Sequence, residues 1–353
     1  MSEDDHVSGD LYVHGYHPRE NDRLQDQAGT LVELLHSDTI YADGSSVLEA
    51  GCGIGAQTVA LAQRSPGARF TSIDISANSI AEARRRAEGA GLTNVEFLQA
   101  DIFALPFPTE SFDHAFVCFM LEHLSQPMRA LAILNALLRP GGSITVIEGD
   151  HGSTYFHPDS PAAHAAIQCL VELQRRAGGN ALIGRQLYPL MLGAGFDAVR
   201  VSPRMVYVDS SRPDLVDGFT RRTFTAMVEG VREPAIASGL IEPESFDAGV
   251  RDLHRTTETD GVFCYTFFKG VGAKGGVRAL VVAATGDADV QERRGLRKPE
   301  VVARRRGSDR RSGRTRHQRR HRRGGVGVSF SRRPVVRLAQ VAHGGPARHR
   351  SDG

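Results

Sequence analysis

A glycine-dense turn between an apolar strand and a helix constrains this chain more than any other feature. Val47–Ala50 predicts a short strand that carries the acidic Glu49, and Gly51, Gly53 and Gly55 follow it directly. A turn this crowded needs residues without a Cβ, so that a ligand can lie against the backbone. The amides at the start of the next helix then face that ligand. The pattern predicts a nucleotide-like ligand at the first crevice of an open α/β sheet.

The glycine spacing alone does not choose between NAD and S-adenosylmethionine. Gly51, Gly53 and Ala56 also fit the dinucleotide pattern, and Asp74 supplies the acidic residue that this pattern expects about 20 positions later. A carboxylate at the end of the second strand can accept hydrogen bonds from the ribose of either molecule. Both cofactors remain open at this point.

Short apolar runs alternate with helical runs after this turn. The predicted strands are Arg69–Asp74, Val95–Asp101, His114–Phe119 and Ser143–Glu148. The predicted helices are Gln57–Arg64, Ser79–Ala90 and Pro127–Leu138. Strands that alternate with helices at this rhythm predict an α/β fold with a doubly wound, parallel sheet.

A series of motifs stands in the order of one known family. The motifs are Glu49-x-Gly51-x-Gly53-x-Gly55, Asp74, Ala100-Asp101, Phe112-Asp113 with Leu121-Glu122-His123-Leu124, and Leu138-Arg139-Pro140-Gly141-Gly142. In these motifs the chain resembles the class I S-adenosylmethionine-dependent methyltransferases, strongly over residues 25–150 and weakly over 150–272. The resemblance implies a seven-stranded Rossmann-like sheet, an N-terminal lid helix, inserted cap helices and S-adenosylmethionine as cofactor. A dinucleotide oxidoreductase does not explain Glu49, the Ala-Asp pair or the Pro-Gly-Gly turn.

The resemblance also implies a cofactor site. Gly51, Gly53 and Gly55 would let the backbone approach the methionine and the ribose, and Glu49 would order the turn near the methionine amino group. The remaining implied contacts are Asp74 with the ribose, Ile75 beside it, Asp101 with the adenine amino group, Ile102 with the adenine ring, and Cys118 on the sulfonium side. A simpler interpretation of Asp74 and Asp101 is a cap or turn former at a strand end.

The segment before the first motif concentrates tyrosine, histidine and arginine. The resemblance implies a lid here, in which Tyr12 and Tyr16 close the pocket and Arg19 meets the methionine carboxylate, a role that suits a bidentate guanidinium. Tyrosine faces would also help to hold a sulfonium cation. The alternative is a surface helix with solvated charges.

Methyl transfer is an in-line displacement that depends mostly on how the acceptor is held. A general base is needed only if the acceptor must lose a proton. Tyr16, His123, Glu148 and His151 are the catalytic candidates, and Glu122 and Asp150 lie beside them just past two strands. The alternatives are that His123 caps a helix and that Asp150 is a turn residue.

Residues 151–261 carry no family motif and must select the acceptor. The predicted cap helices are Ser160–Arg176, Gly184–Leu192, Pro213–Glu229 and Glu244–Leu253, and the predicted strands here are Val199–Tyr207 and Val262–Gly270. The candidate lining residues are Tyr155, Phe156, Tyr188, Met205, Phe219, Phe224 and Met227, although most such residues build core. The segment 12–24 is similar to bacterial natural-product methyltransferases, some of which methylate indole rings. A quinone- or sterol-type C-methyltransferase is the alternative within the same class.

The chain is predicted to have four segments: a lid (1–30), a cofactor-binding core (31–150), a cap with the last strands (151–274) and a tail (275–353), of which charge sets the tail apart. The tail holds 20 Arg and one Lys against six acidic residues, whereas the rest of the chain is acidic. The tail is either a nucleic-acid arm or a disordered or non-native extension. The latter is favoured, so the expected partner is a small-molecule acceptor rather than nucleic acid.

The four cysteines are scattered without a C-x-x-C pair, so neither a zinc site nor a disulfide framework is expected. No apolar run is long enough to span a membrane, and the cytoplasm is the default location. The oligomeric state stays open, a homodimer included.

Overall fold

The computed structural model describes residues 31–275, and within this range seven strands form one sheet. The strands are β1 (Ser46–Ala50), β2 (Arg69–Asp74), β3 (Val95–Gln99), β4 (Phe112–Cys118), β5 (Leu138–His157), β6 (Phe196–Asp209) and β7 (Val262–Lys274). The helices are α1 (31–36), α2 (Ala56–Arg64), α3 (Ala77–Gly89), α4 (Pro127–Leu137), α5 (Pro161–Arg176), α6 (Leu187–Gly193), α7 (Pro213–Leu215), α8 (Ala226–Glu229), α9 (Arg232–Ala237) and α10 (Pro243–Arg255). Two 3₁₀ turns cover Leu121–His123 and Ile183–Gln186, and a π-helical stretch, Val216–Thr225, joins α7 to α8.

The strand order is β3-β2-β1-β4-β5-β7-β6. The strands from β1 to β5 pair in parallel, and β7 runs antiparallel to both of its neighbours. The chain leaves β1 toward β2 and β3 on one side and returns to β4 and β5 on the other. The sheet therefore has a topological switch between β1 and β4, where α/β folds open a crevice for ligands. The predicted doubly wound, seven-stranded fold is confirmed.

The parallel strands are apolar on both faces because helices cover both sides. On one face, Val47 and Phe116 pack with the aromatic side chains of β7 and with α1, α5 and α10. On the other face, Leu48 and Val117 pack with α4 and α6. This double burial fixes the strand register, so the carboxyl ends of β1, β2, β4 and β5 meet at one edge of the sheet.

Most predicted boundaries lie within two residues of the observed ones, and β5 is the main exception. The prediction ended the preceding helix in a Pro-Gly-Gly turn and began a strand at Ser143, but β5 already begins at Leu138 and continues to His157. Gly142 allows this close pairing, since a Cβ there would lie 2.7 Å from the carbonyl oxygen of Asp113 on β4. The predicted helix from Pro213 to Glu229 is divided into α7, the π-helical stretch and α8, and α9 was not predicted.

Two of the four predicted segments fall on residues that the structure does not describe. These are the lid, residues 1–30, and the tail from residue 276 onward. Within residues 31–275, no helix combines the length and the apolar character needed to cross a membrane. The same range contains no group of three or more His, Cys, Asp or Glu side chains arranged to hold a metal ion.

Candidate active site

The turn between β1 and α2 uses three glycines with left-handed backbone angles, and two of them serve different purposes. Gly53 has φ of 52° and Gly55 has φ of 77°. A Cβ on Gly55 would lie 2.9 Å from the Cβ of Ala83 on α3, so this glycine allows α3 to pack against the turn. A Cβ on Gly53 would meet no atom of the described residues within 4 Å. Gly53 therefore presents bare backbone to open space at the edge of the sheet.

The third glycine connects this turn to the end of β4. Gly51 has φ of 74°, and a Cβ there would lie 2.6 Å from the Cγ of Met120. Phe119, one residue earlier, is a non-glycine residue with φ of 55°. Such an angle is sparsely populated and is found at functional sites, where surrounding packing enforces it. Cys118 ends β4 directly before Phe119 and is buried.

Glu49 links the helix and the strand that flank the glycine turn. Its Oε2 accepts hydrogen bonds from Thr58 Oγ1 of α2 at 2.7 Å and from Ser72 Oγ of β2 at 2.6 Å. Burial raises the pKa of the Glu49 carboxyl, and these two hydrogen bonds oppose the rise. Its contact with a methionine amino group stays a prediction.

Asp74, at the end of β2, ties the glycine turn to the start of α3. Its Oδ2 accepts a hydrogen bond from the amide of Gly53, and its Oδ1 accepts one from the amide of Ser76, both at 2.9 Å. Each carboxylate oxygen has a second lone pair, so the ribose role remains compatible with these bonds. Burial raises the pKa of Asp74. Ile75 beside it is 46% exposed and offers apolar surface at the same edge.

Asp101 and Ile102 follow β3 on the same edge. Asp101 is exposed, and its Oδ1 accepts a hydrogen bond from the amide of Phe103 at 2.9 Å, which is the turn-forming role. Ile102 is buried in the core that includes Leu48 and Ile73. Little of its side chain is left for an adenine ring. The adenine contacts of both residues stay predictions, and Tyr12, Tyr16 and Arg19 lie outside the described residues.

Glu148, near the middle of β5, is fully buried and reaches the end of β4. Its Oε1 accepts hydrogen bonds from the amides of Met120 at 3.1 Å and Leu121 at 2.8 Å. Burial raises the pKa of the Glu148 carboxyl well above its usual range, and the nearby Glu122 carboxylate raises it further. The raised pKa favours the protonated form of this carboxyl, which suits a positioning role at the end of β4.

His123 and His151 approach the same carboxylate from two sides. His151 is buried, with its Nε2 3.9 Å from Glu122 Oε2, and His123 places its Nε2 3.7 Å from Glu122 Oε1. The Nδ1 of His151 lies 2.7 Å from the hydroxyl oxygen of Tyr265 on β7. Three of the predicted catalytic residues, His123, Glu148 and His151, are thus brought together around Glu122.

Asp150 is not available as a base, although its position made it a candidate. Its carboxylate is buried and forms a bidentate pair with Arg185, at 2.5 Å to Nε and 2.7 Å to Nη2. It also accepts a hydrogen bond from the amide of Gly152 at 3.1 Å. The pair neutralises the charge of Asp150 and joins β5 to the 3₁₀ turn Ile183–Gln186. Asp150 also has the local contact of a turn residue, because its Oδ1 accepts from the amide two positions later at the irregularity of β5 between Asp150 and Tyr155.

Two residues of this cluster were not predicted to be part of the site. Gln174, on the inner face of α5, donates a hydrogen bond from its Nε2 to Glu122 Oε2 at 3.2 Å. The signal in the sequence was a glutamine at a position of the helix that otherwise carries apolar residues. Tyr265 had no such signal, since a tyrosine in an apolar strand is ordinary core.

The predicted acceptor-lining residues divide into two groups. Phe156, Phe219, Phe224 and Met227 are buried, and Phe224 lies edge-on to the His151 ring with 6.1 Å between ring centroids. Tyr155, Tyr188 and Met205 are each about half exposed, and the hydroxyl of Tyr155 lies 3.4 Å from the sulfur of Met205.

The turn fits a nucleoside-bearing cofactor on two observations. Within residues 31–275, no side chain lies within 4 Å of the position that a Cβ on Gly53 would take, and the first turn of α2 has neither a side-chain cap nor an acidic residue. Its leading amides are therefore free of side-chain capping, as a ligand bound at a helix start requires.

Comparison with known proteins points to the same family. The family described as "Methyltransferase domain" matches residues 47–142. A demethylmenaquinone methyltransferase of Thermus thermophilus is 38% identical over 102 residues, which is 29% of this chain and 46% of the relative. A ubiquinone/menaquinone biosynthesis C-methyltransferase of Paracoccus denitrificans is 35% identical over 107 residues, which is 30% of this chain and 43% of the relative.

A longer match connects the chain to a protein that has no stated activity. The uncharacterized 37.1 kDa protein in transposon TN4556 of Streptomyces fradiae is 37% identical over 198 residues, which is 55% of this chain and 56% of the relative. The chain therefore spans about half the length of the curated relatives it matches. The comparisons confirm the resemblance to methyltransferases over residues 47–142, which favours S-adenosylmethionine over NAD as the cofactor.

Proposed function

Residues 47–142 are a methyltransferase domain, and from this premise we propose that the chain transfers a methyl group to a small, mainly apolar, ring-bearing acceptor. The observation that carries the proposal is the bare Gly53 backbone. Gly51 of the same turn packs on the end of β4, next to Phe119 with its left-handed backbone angle and close to the buried Glu122 and His151. When bound, S-adenosylmethionine supplies the electrophilic methyl group. The residues of the chain bind this cofactor and orient the acceptor.

The proposed cofactor contacts lie along the edge of the sheet at which the parallel strands end. Glu49 and Asp74 fix the shape of the glycine turn through their hydrogen bonds to α2, β2 and the Gly53 amide. Asp74 retains lone pairs for ribose hydroxyls, and the exposed Asp101 for the adenine amino group. Arg19 and Tyr12 would complete the site from the N-terminal lid, with Tyr16 on the acceptor side.

The acceptor class follows from the surroundings of His151. Phe224 and Tyr265 enclose this imidazole, and Phe219 packs on Tyr265, so the nearby wall is aromatic. The domain itself is acidic, which disfavours nucleic acid and other polyanions. An indole-like metabolite of a natural-product pathway suits such a wall, because flat rings pack well on aromatic faces.

A quinone-type C-methyltransferase is the second candidate. The observation in its favour is that relatives matching about 30% of the chain carry quinone-pathway names. Nucleic-acid binding through the tail is a third candidate, which rests only on the arginine content of residues 275–353. A salt-sensitive gel shift that disappears in a chain ending at residue 274 would support that third function.

The test uses radiolabelled S-adenosylmethionine and a panel of indoles, phenols, naphthohydroquinones and amines. We expect label in a neutral aromatic acceptor, and the chain ending at residue 274 should retain this activity. The variant Gly53→Ala should lose it, whereas Gly91→Ala, at a left-handed glycine on the far side of α3, should not. Label in no acceptor, together with no binding of S-adenosylhomocysteine, would contradict the proposal.

A further inference from the structure

We propose that Glu122 takes the proton that a neutral acceptor gives up during methylation, and that Tyr265, His151 and Glu148 hold Glu122 in its proton-accepting state. The inference rests on the proposed function and adds to it a named proton acceptor and an acceptor class. It is carried by the close arrangement of four buried side chains from β5, β7 and the turn after β4.

The first step concerns the proton on His151. The hydroxyl oxygen of Tyr265 lies 2.7 Å from His151 Nδ1, and the hydroxyl can donate its proton to that nitrogen. This arrangement is favoured because a proton on the other nitrogen, Nε2, faces the Glu122 carboxylate. Neutral His151 then carries its proton on Nε2, the nitrogen that faces Glu122 Oε2 at 3.9 Å.

The second step concerns which of the two glutamates is ionised. Glu148 and Glu122 are both buried, and like charges so close disfavour double ionisation. Glu148 is the more deeply buried, and its Oε2 has no hydrogen-bond partner within residues 31–275. Glu148 has the two amide donors at its Oε1. Among residues 31–275, Glu122 accepts a hydrogen bond from Gln174 Nε2 at 3.2 Å and has two imidazoles within 4 Å, which can become cations beside it. These two imidazoles and the deeper burial of Glu148 favour the charge on Glu122 and the proton on Glu148.

The third step places this carboxylate near the cofactor turn. Glu148 accepts a hydrogen bond from the amide of Met120, and the Met120 side chain occupies the space that a Cβ on Gly51 would take. Glu122 lies two residues farther along the same turn, and its side chain is 10% exposed, so it is the member of the glutamate pair that a ligand can reach. Other titratable groups around the cluster are Cys118 on β4 and the Asp150–Arg185 pair.

The chemistry balances with one proton acceptor. The acceptor atom bonds to the methyl carbon, the carbon–sulfur bond breaks with its electron pair left on sulfur, and the acceptor's proton passes to a Glu122 oxygen. Water then removes that proton. A buried negative charge repels an anionic acceptor, so the site selects neutral molecules with an O–H, N–H or ring C–H to lose.

The first readout needs no methyl acceptor. In the ¹⁵N-labelled full chain with S-adenosylhomocysteine, two-bond ¹H–¹⁵N spectra should show His151 as the Nε2–H tautomer. The His151 signals are identified as those that disappear in His151→Gln. Tyr265→Phe should mix its tautomers. Tyr41→Phe, which removes another buried tyrosine hydroxyl from the same core, should leave it unchanged. An Nδ1–H tautomer in the unmodified chain would overturn the proposal.

The second readout is methyl transfer to the naphthohydroquinone and indole probes. Glu122→Gln should lower kcat about 100-fold, the usual size of a general-base contribution. Its affinity for S-adenosylhomocysteine should stay unchanged, and Glu122→Asp should recover part of kcat. Glu122→Gln with unchanged kcat would overturn the proposal. Failure of the proposed function is distinct, because it would abolish binding of S-adenosylhomocysteine to the unmodified chain.

Discussion

Substitution of the turn glycines should separate folding from cofactor binding. Gly53→Ala places a methyl group in open space, so its only folding cost is the left-handed angle, about 1 kcal/mol for a non-glycine residue. Gly55→Ala adds a clash, since its Cβ would lie 2.9 Å from the Cβ and 3.0 Å from the Cα of Ala83. Overpacking against backbone adds about 1–3 kcal/mol, so this variant should lose about 2–4 kcal/mol.

The expected binding effects run in the opposite order. The Cβ of Gly53→Ala would occupy the surface on which the cofactor lies, so a steric penalty of about 1–3 kcal/mol should raise the Kd of S-adenosylhomocysteine roughly 10- to 100-fold. A side chain on Gly55 would point at α3 rather than at the open crevice. Gly55→Ala should therefore weaken binding mainly because a smaller fraction of the protein is folded.

Urea unfolding without ligand and calorimetric titration with S-adenosylhomocysteine measure the two effects on the same samples. Gly91→Ala is the matched control, because Gly91 has φ of 68° and its Cβ would meet no atom of the described residues within 4 Å. It should lose about 1 kcal/mol of stability and none of the affinity. The reasoning is refuted if Gly53→Ala binds as tightly as Gly91→Ala, or if Gly55→Ala is as stable as Gly53→Ala.

Three further predictions concern buried ionisable groups. Burial lowers the pKa of His36 to about 4, so its neutral form contributes stability that is lost as the pH falls from 6.5 toward 4. The free energy of unfolding measured with urea should fall by about 3 kcal/mol over this range, and His36→Gln should remove this dependence. Burial raises the pKa of Glu49, so stability present below pH 4.5 is lost as the pH rises, and Glu49→Gln should show a smaller loss in the same titrations. Lys269 donates to the Leu35 carbonyl at 3.2 Å and to the Thr39 hydroxyl at 2.6 Å, and both acceptors are buried. Lys269→Met should therefore cost about 1–3 kcal/mol by leaving them unpaired, whereas Lys274→Met at the end of the same strand should cost less.

The fold and the cofactor turn could be predicted because their signals are local. The strand Arg69–Asp74 was predicted with its observed ends, and the helix predicted from Gln57 begins one residue earlier. Alternating glycines after a strand have one main physical explanation, which is a turn with left-handed angles. Asp74 was located correctly, although its bond to the Gly53 amide depends on how β1 and β2 pair.

The acceptor side could not be predicted to the same depth because its contacts are distant in sequence. Tyr265 meets His151 across 114 positions, and Arg185 meets Asp150 across 35. These partners depend on the register of β7 against β5 and on the irregularity between Asp150 and Tyr155. The sequence identified the acids and histidines as candidates, but only the pairing shows that Asp150 is neutralised and that Glu122 lies at the centre.

The central claim is that the glycine turn binds S-adenosylmethionine, and calorimetric titration of the full chain with S-adenosylhomocysteine tests it most directly. We expect one molecule bound per chain, an affinity that Gly53→Ala lowers at least tenfold, and no heat from NAD under the same conditions. Absence of S-adenosylhomocysteine binding, or binding of NAD that Gly53→Ala abolishes, would contradict the claim.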